Sequence, residues 1–164
     1  MDTQVIKIRN PNVNDGAGVW ELVKKSKPLD LNSSYLYLML CLHFSDTCLV
    51  AETGTDLVGF VSAYIPPTKN DNIFVWQVAV LESVRGQGVG KRLLNQLIAQ
   101  DVCQEVRYIS CTVSPSNEAS KNLFRSLAKE LKVDFKENGA FTKDLFPKGQ
   151  NHEEEVLYQI GPLQ

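Results

Sequence analysis

The sequence predicts a mixed α/β domain, a mostly antiparallel sheet flanked by helices. Three observations carry this expectation. Ile73–Val80 is a β-branched and aromatic run of strand length, and it leads through the glycine-rich Arg85–Gly90 into Lys91–Ile98, whose apolar spacing is helical. Cys48–Glu52 and Leu57–Ile65 flank Thr53–Asp56 as the arms of a hairpin would. The chain then closes with a strand at Tyr108–Val113, a helix from about Ala119 to Leu131 and a strand at Val156–Ile160.

The remaining elements follow in order. Val5–Ile8 alternates like a first strand. Asp15–Lys25 reads as a short helix with Asn14 or Asp15 near its N-cap and two lysines in its last turn, and Pro28 ends the pattern. Asn32–Phe44 is apolar nearly all round, which predicts a mostly buried helix. Pro66–Asn72 is a loop, Ser114–Glu118 caps the later helix, and Lys136–Gln150 is polar and interrupted, with no element expected there. No repeat or linker divides the chain, so a single domain over residues 1–164 is expected.

Composition narrows the function. Net charge is −2, and no run of five basic residues occurs, which argues against nucleic acid and an anionic membrane as partners. Cys41, Cys48, Cys103 and Cys111 form no Cys-x-x-Cys pair and sit in apolar runs, as reduced core residues do. With a polar N-terminus and no apolar stretch of about 18–20 residues, the expectation is a cytoplasmic protein. No metal-ligand spacing is present, and no Ser/His/Asp or Cys/His arrangement suggests a covalent intermediate.

A strand, a glycine-rich loop and a helix in succession gather main-chain N–H groups and the positive end of a helix dipole in one place, which suits a phosphate or pyrophosphate. Arg85 and Lys91 add positive charge at the rim. A P-loop ending at Gly90-Lys91 would need glycine where Arg85 stands and Ser or Thr where Arg92 stands. A dinucleotide fingerprint would need glycine at Lys91 and a parallel crossover unit near the N-terminus. The pattern Arg85-Gly86-Gln87-Gly88-Val89-Gly90, after a strand ending Val78-Ala79-Val80, instead resembles the pyrophosphate loop of the Gcn5-related N-acetyltransferases. The element order resembles theirs over essentially the whole chain.

Leu29–Tyr37, Val58–Tyr64, Phe74–Val80 and His152–Glu155 make the likeness narrower: together they resemble the L-2,4-diaminobutyrate acetyltransferases of ectoine biosynthesis. The resemblance implies a homodimer that moves acetyl from acetyl-CoA to the 4-amino group of a small diamine, without metal. It implies that Val78, Ala79 and Val80 meet the pantetheine arm and the acetyl carbonyl through the main chain. The N–H groups of Gly86, Gln87, Gly88, Val89, Gly90 and Lys91, with Arg85 beside them, hold the pyrophosphate. Asn117 either caps its helix or bonds the pantetheine arm. Asp30, Asn32, Ser33, Tyr35, Tyr37 and Trp76 offer the carboxylate, hydroxyl and aromatic groups that recognise a small zwitterion with an extra ammonium; the bland role of Asn32 and Ser33 is helix capping and that of Trp76 is core. His152 and Glu155 are the candidate catalytic groups, because an ammonium of pKa around ~10 must lose its proton before it attacks a thioester. Seven residues after Asn117, many relatives carry a tyrosine that protonates the departing thiolate. Phe124 stands there and cannot do so.

Overall fold

The computed structural model describes residues 4–164. Four helices accompany a seven-stranded sheet whose strand order is β1-β2-β3-β4-β5-β7-β6. The strands are β1 (Lys7–Arg9), β2 (Cys48–Thr53), β3 (Asp56–Tyr64), β4 (Asn72–Val80), β5 (Tyr108–Val113), β6 (Asp134–Phe141) and β7 (Glu155–Gly161). The helices are α1 (Gly16–Lys25), α2 (Ser34–His43), α3 (Val89–Ile98) and α4 (Glu118–Leu131). The pairs β1–β2, β2–β3, β5–β7 and β6–β7 are antiparallel, and β4–β5 is parallel. The chain forms two compact units, divided within β4.

The first unit holds the described residues through Tyr64 together with Trp76–Gln104. Alternation along β2 and β3 sends Cys48, Val50 and Phe60 into a core with Val19, Leu22 and Val23 of α1 and Tyr37, Leu40 and Cys41 of α2. The opposite face receives α3: a side-chain carbon at Gly59 would lie 3.2 Å from both Val89 and Leu93, so glycine there permits the close approach. Leu93, Leu94 and Leu97 are buried beneath α3, and truncating any one to alanine is worth about 2–5 kcal/mol.

Asp15 stands at the N-cap of α1 as expected, although its side chain makes no cap bond to that helix; Asn12 caps the 3-10 turn at Val13–Asp15 that precedes α1, with the Asn14 N–H donating to its side chain at 2.9 Å. One expectation is corrected in this unit. The helix Ser34–His43 is not mostly buried, because Tyr37, Leu40 and Cys41 are its buried residues and Leu36 is partly buried against the same core. Tyr35, Leu38, Met39, Leu42 and Phe44 face outward.

The Asp15 carboxylate accepts from the Asn12 N–H at 2.8 Å, completing the cap of that turn, and it has a second task. The Arg9 guanidinium donates to both Asp15 oxygens, at 2.8 and 2.9 Å, and to both Glu52 oxygens, at 3.1 and 3.2 Å. This ties β1 to β2 and to the entry of α1, and it holds the Asp15 carboxyl below its ordinary value of 3.8. A lowered folded pKa stabilises the protein fully above that value, and the contribution is lost as pH falls through the folded one. We expect Asp15→Asn to lower unfolding free energy by about 1–2 kcal/mol at neutral pH. In urea titrations the gap between the two proteins should narrow only below the ordinary carboxylate pKa; a constant gap down to strong acid would contradict the assignment.

The second unit holds Ile65–Val75 and Glu105–Gln164. Its parallel ladder runs from Asn72↔Tyr108 to Val75↔Cys111 and stops there. α4 buries Phe124, Leu127 and Ala128, and Phe135 stacks on Tyr158 with centroids 4.8 Å apart. β6 is the element that the sequence does not announce. It is an edge strand, exposed along most of its length, and its register against β7 shifts between Glu137 and Ala140. Such a strand needs no apolar alternation, and charged residues on an edge discourage pairing with other chains.

Candidate active site

In the first unit the glycine loop has the geometry of an anion site. α3 begins at Val89, two residues before the expected Lys91, and Gly88 is its N-cap with φ +74°. Gly86 is also left-handed, at φ +79°. The first bond of the helical ladder runs from the Arg92 N–H to the Gly88 carbonyl at 3.0 Å. The amides of the first turn, Val89 and Gly90 among them, therefore lie ahead of the ladder, at the positive end of the dipole. No side chain caps this helix, whereas Ser33 caps α2 and Asn117 caps α4. Arg85 and Gln87 are exposed, Lys91 is half-buried, and Arg85 Nε reaches back to the Val80 carbonyl at 3.4 Å.

Along β4, Trp76, Val78 and Val80 share one face, and Gln77 and Ala79 turn the other way into the core. Trp76 is 41% exposed, so it is not the core residue that tryptophan in a strand ordinarily is. Asp30, Ser33 and Tyr35 are exposed and Asn32 is half-buried. Ser33 caps α2, its hydroxyl accepting from the Leu36 N–H at 3.3 Å. Tyr37, expected among the substrate contacts, is a correction: it is 0% exposed, edge-on to Phe60 with centroids 6.3 Å apart, and its hydroxyl donates to Gln77 Oε1 at 3.0 Å. Helical spacing turns Tyr37 inward while Tyr35 stays outside.

In the second unit Asn117 acts as a helix cap, accepting from the Ser120 N–H at 3.2 Å. Next to it, the Ser116 hydroxyl donates to the Glu153 carboxylate. Glu155 opens β7 opposite Phe141 and is half-buried, while Val156 and Tyr158 point inward as the alternation predicts. His152 stacks on Phe146, with centroids 4.0 Å apart and planes 7° apart. Its Nδ1 lies 2.6 Å from the Glu153 carbonyl oxygen. A carbonyl only accepts, so Nδ1 carries the proton and the basic lone pair of the neutral ring is on Nε2.

Burial pushes the Cys48 and Cys111 thiols up to about 12 and those of Cys41 and Cys103 to about 11, so none is a thiolate nucleophile near neutral pH. Phe124, on the inward side of α4, is buried. Among the described residues no group of three or more His, Cys, Asp or Glu side chains could hold a metal ion, and no helix is long and apolar enough to cross a membrane.

Two residues of consequence escaped sequence reasoning. Gln77 is a lone amide inside an apolar run, and Phe146 is an aromatic residue in a polar stretch before His152. Each was visible as a residue out of keeping with its neighbours.

The acetyltransferase (GNAT) family model matches residues 17–128. The L-2,4-diaminobutyric acid acetyltransferase of Marinococcus halophilus is 53% identical over 153 residues, covering 93% of this chain and 88% of that protein. Its counterpart in Shouchella clausii is 47% identical over 163 residues, covering 99% and 90%. The solved diaminobutyrate acetyltransferase of Paenibacillus lautus, in complex with its substrate L-2,4-diaminobutyric acid and coenzyme A, is 44% identical and superposes with a TM-score of 0.94, covering 97% of this chain and 96% of that one. The chain belongs to the acetyltransferase (GNAT) family and, within it, to the L-2,4-diaminobutyric acid acetyltransferases.

Proposed function

We propose that this protein transfers acetyl from acetyl-CoA to the 4-amino group of L-2,4-diaminobutyrate, giving N4-acetyl-L-2,4-diaminobutyrate for ectoine biosynthesis and so for osmoprotection. The observation that carries this is the 44% identity and 0.94 TM-score shared with a protein solved with that diamine and coenzyme A. The uncapped, glycine-led N-terminus of α3 supports it from this chain's own geometry. In the reaction the amine nitrogen bonds to the thioester carbonyl carbon, the carbon–sulfur bond breaks, and the thiolate leaves. Attack is direct, as the raised thiol pKa values favour.

Roles follow from residue chemistry. The main chain of Gly86–Lys91, with Arg85, takes the pyrophosphate, and that of Val78–Val80 takes the pantetheine and carbonyl. Asn117 keeps both roles open, since a capping oxygen leaves its amide N–H groups as donors. Asp30 pairs with an ammonium, Trp76 and Tyr35 give aromatic surface, and Asn32 or Ser33 takes the carboxylate. Glu155 and His152 Nε2 are the candidate proton acceptors.

The chain works as one N-acetyltransferase domain over residues 1–164; a family match that spans parts of both units supports this. Its reduced, buried cysteines suit the cytoplasm. Acetyl-CoA-dependent thiol release that requires diaminobutyrate tests the activity, because a non-catalytic acyl-CoA-binding module would release none.

The protein is also proposed to be a homodimer. The outward face of α2 carries Tyr35 at 69% exposure and Leu42 at 57%, with Leu38, Met39 and Phe44 beside them, a contiguous apolar surface that pairing would cover. Light scattering at micromolar concentration should give about twice 18.4 kDa; a mass near one 18.4 kDa chain would rule the dimer out.

A further inference from the structure

Gln77 is 6% exposed, and its polar atoms are bonded in a chain of one polarity. Its Nε2 lies 2.7 Å from the Asp30 carbonyl oxygen, which can only accept, so the amide nitrogen faces Asp30 and the amide oxygen faces Tyr37. The Tyr37 hydroxyl must therefore donate to Gln77 Oε1, at 3.0 Å, and its lone pair accepts the Asn32 N–H at 3.4 Å. The Gln77 main-chain N–H donates to the buried Ser62 hydroxyl at 3.2 Å, which fixes the strand beneath. On either side of Leu31, the Asp30 carbonyl is thus held directly by Gln77 of β4 and the Asn32 N–H by Tyr37 of α2, which Gln77 in turn holds. The segment they pin carries Asp30, and the residue before Gln77 is Trp76.

A buried amide is costly unless fully bonded, and an apolar residue would fill this position at less risk. What the amide adds is a fixed place for a short irregular segment that has no ladder of its own. We infer that Gln77, acting through the Asp30 carbonyl and the Tyr37 hydroxyl, is a positioning residue that holds the Asp30–Asn32 segment in place for recognition of the diamine. This rests on the proposed acetylation of diaminobutyrate. Gln77 itself touches no reacting atom: it works by removing the freedom of the segment that carries the Asp30 carboxylate.

Three variants test it. Gln77→Leu removes both amide bonds and Tyr37→Phe removes the hydroxyl bonds alone. Each should raise KM for diaminobutyrate about tenfold or more, the size of effect expected when a buried polar partner is lost, with the acetyl-CoA dissociation constant unchanged. Gln77→Glu gives the sharper signature. Its carboxylate accepts from Tyr37 but opposes the Asp30 carbonyl, whereas its protonated form donates to that carbonyl. A buried Glu has a raised pKa, so the ratio of variant to native kcat/KM should climb toward one as pH falls from about 9 to about 6. Amide exchange at Asn32 should quicken in the Leu and Phe variants whether or not substrate is present. Native-like KM and native-like Asn32 exchange in folded Tyr37→Phe, or a flat ratio in Gln77→Glu, would overturn the inference. A native protein that exchanges as expected but does not acetylate diaminobutyrate would overturn the functional reading and leave the pinning itself demonstrated.

Discussion

Asp30→Ala and Glu155→Ala should each lower kcat/KM for L-2,4-diaminobutyrate by roughly 30-fold to several thousand-fold, while acetyl-CoA affinity stays near native. The magnitude follows from losing one partner of a desolvated charge pair, about 2–5 kcal/mol. The diamine carries two ammoniums and one carboxylate, so its recognition requires anionic side chains. Asp30 is a clean probe, because the alanine variant keeps the main-chain carbonyl that Gln77 holds and removes only the carboxylate. Glu155 is half-buried at the start of β7, and its alternation with Val156 places it away from the inward face. If either residue were only part of a solvated acidic edge, its removal would change kcat/KM by less than about twofold, as ordinary surface substitutions do. Steady-state kinetics with each substrate varied in turn separates the two outcomes.

Gly88→Val should weaken acetyl-CoA binding by more than about tenfold in a protein that still folds. Gly88 has φ +74°, which costs a β-branched residue about 1–3 kcal/mol in backbone strain. Beyond its two chain neighbours, no heavy atom lies within 4 Å of where its Cβ would stand, so the substitution enters open space. The loss of affinity is expected because a pyrophosphate held by main-chain N–H groups needs close approach to the backbone, which a side chain on the loop obstructs. Calorimetry with CoA and a thermal melt measure the two effects separately. Unchanged affinity in folded Gly88→Val would remove the loop from the cofactor site.

Much of this was legible in the sequence because it is carried by local pattern. The hairpin around Gly54, the run ending at Val80, the strand Tyr108–Val113 and the helix after Asn117 each announce themselves by alternation, helical spacing or a capping residue. The glycine loop was legible too, although its helix starts earlier than the apolar spacing implies, because Val89 and Gly90 form the first turn without adding to an amphipathic stripe. What escaped depends on tertiary partners. An edge strand such as Asp134–Phe141 gains its bonds from β7 and needs no periodicity of its own. The α2 sequence is apolar on every side, so only packing decides that Tyr37 turns inward and Tyr35 outward. Gln77 drew no notice beside Trp76, since the value of a buried amide lies in the loop that folds back onto it.

The most direct test of the central claim is turnover by the native protein on a panel of small amines, including L-2,4-diaminobutyrate, ornithine, spermidine and an aminoglycoside, with the acetylated nitrogen located by NMR. The account predicts the highest kcat/KM on L-2,4-diaminobutyrate and acetyl on the 4-amino nitrogen alone. Preference for spermidine or an aminoglycoside, or acetylation of the 2-amino group, would contradict it.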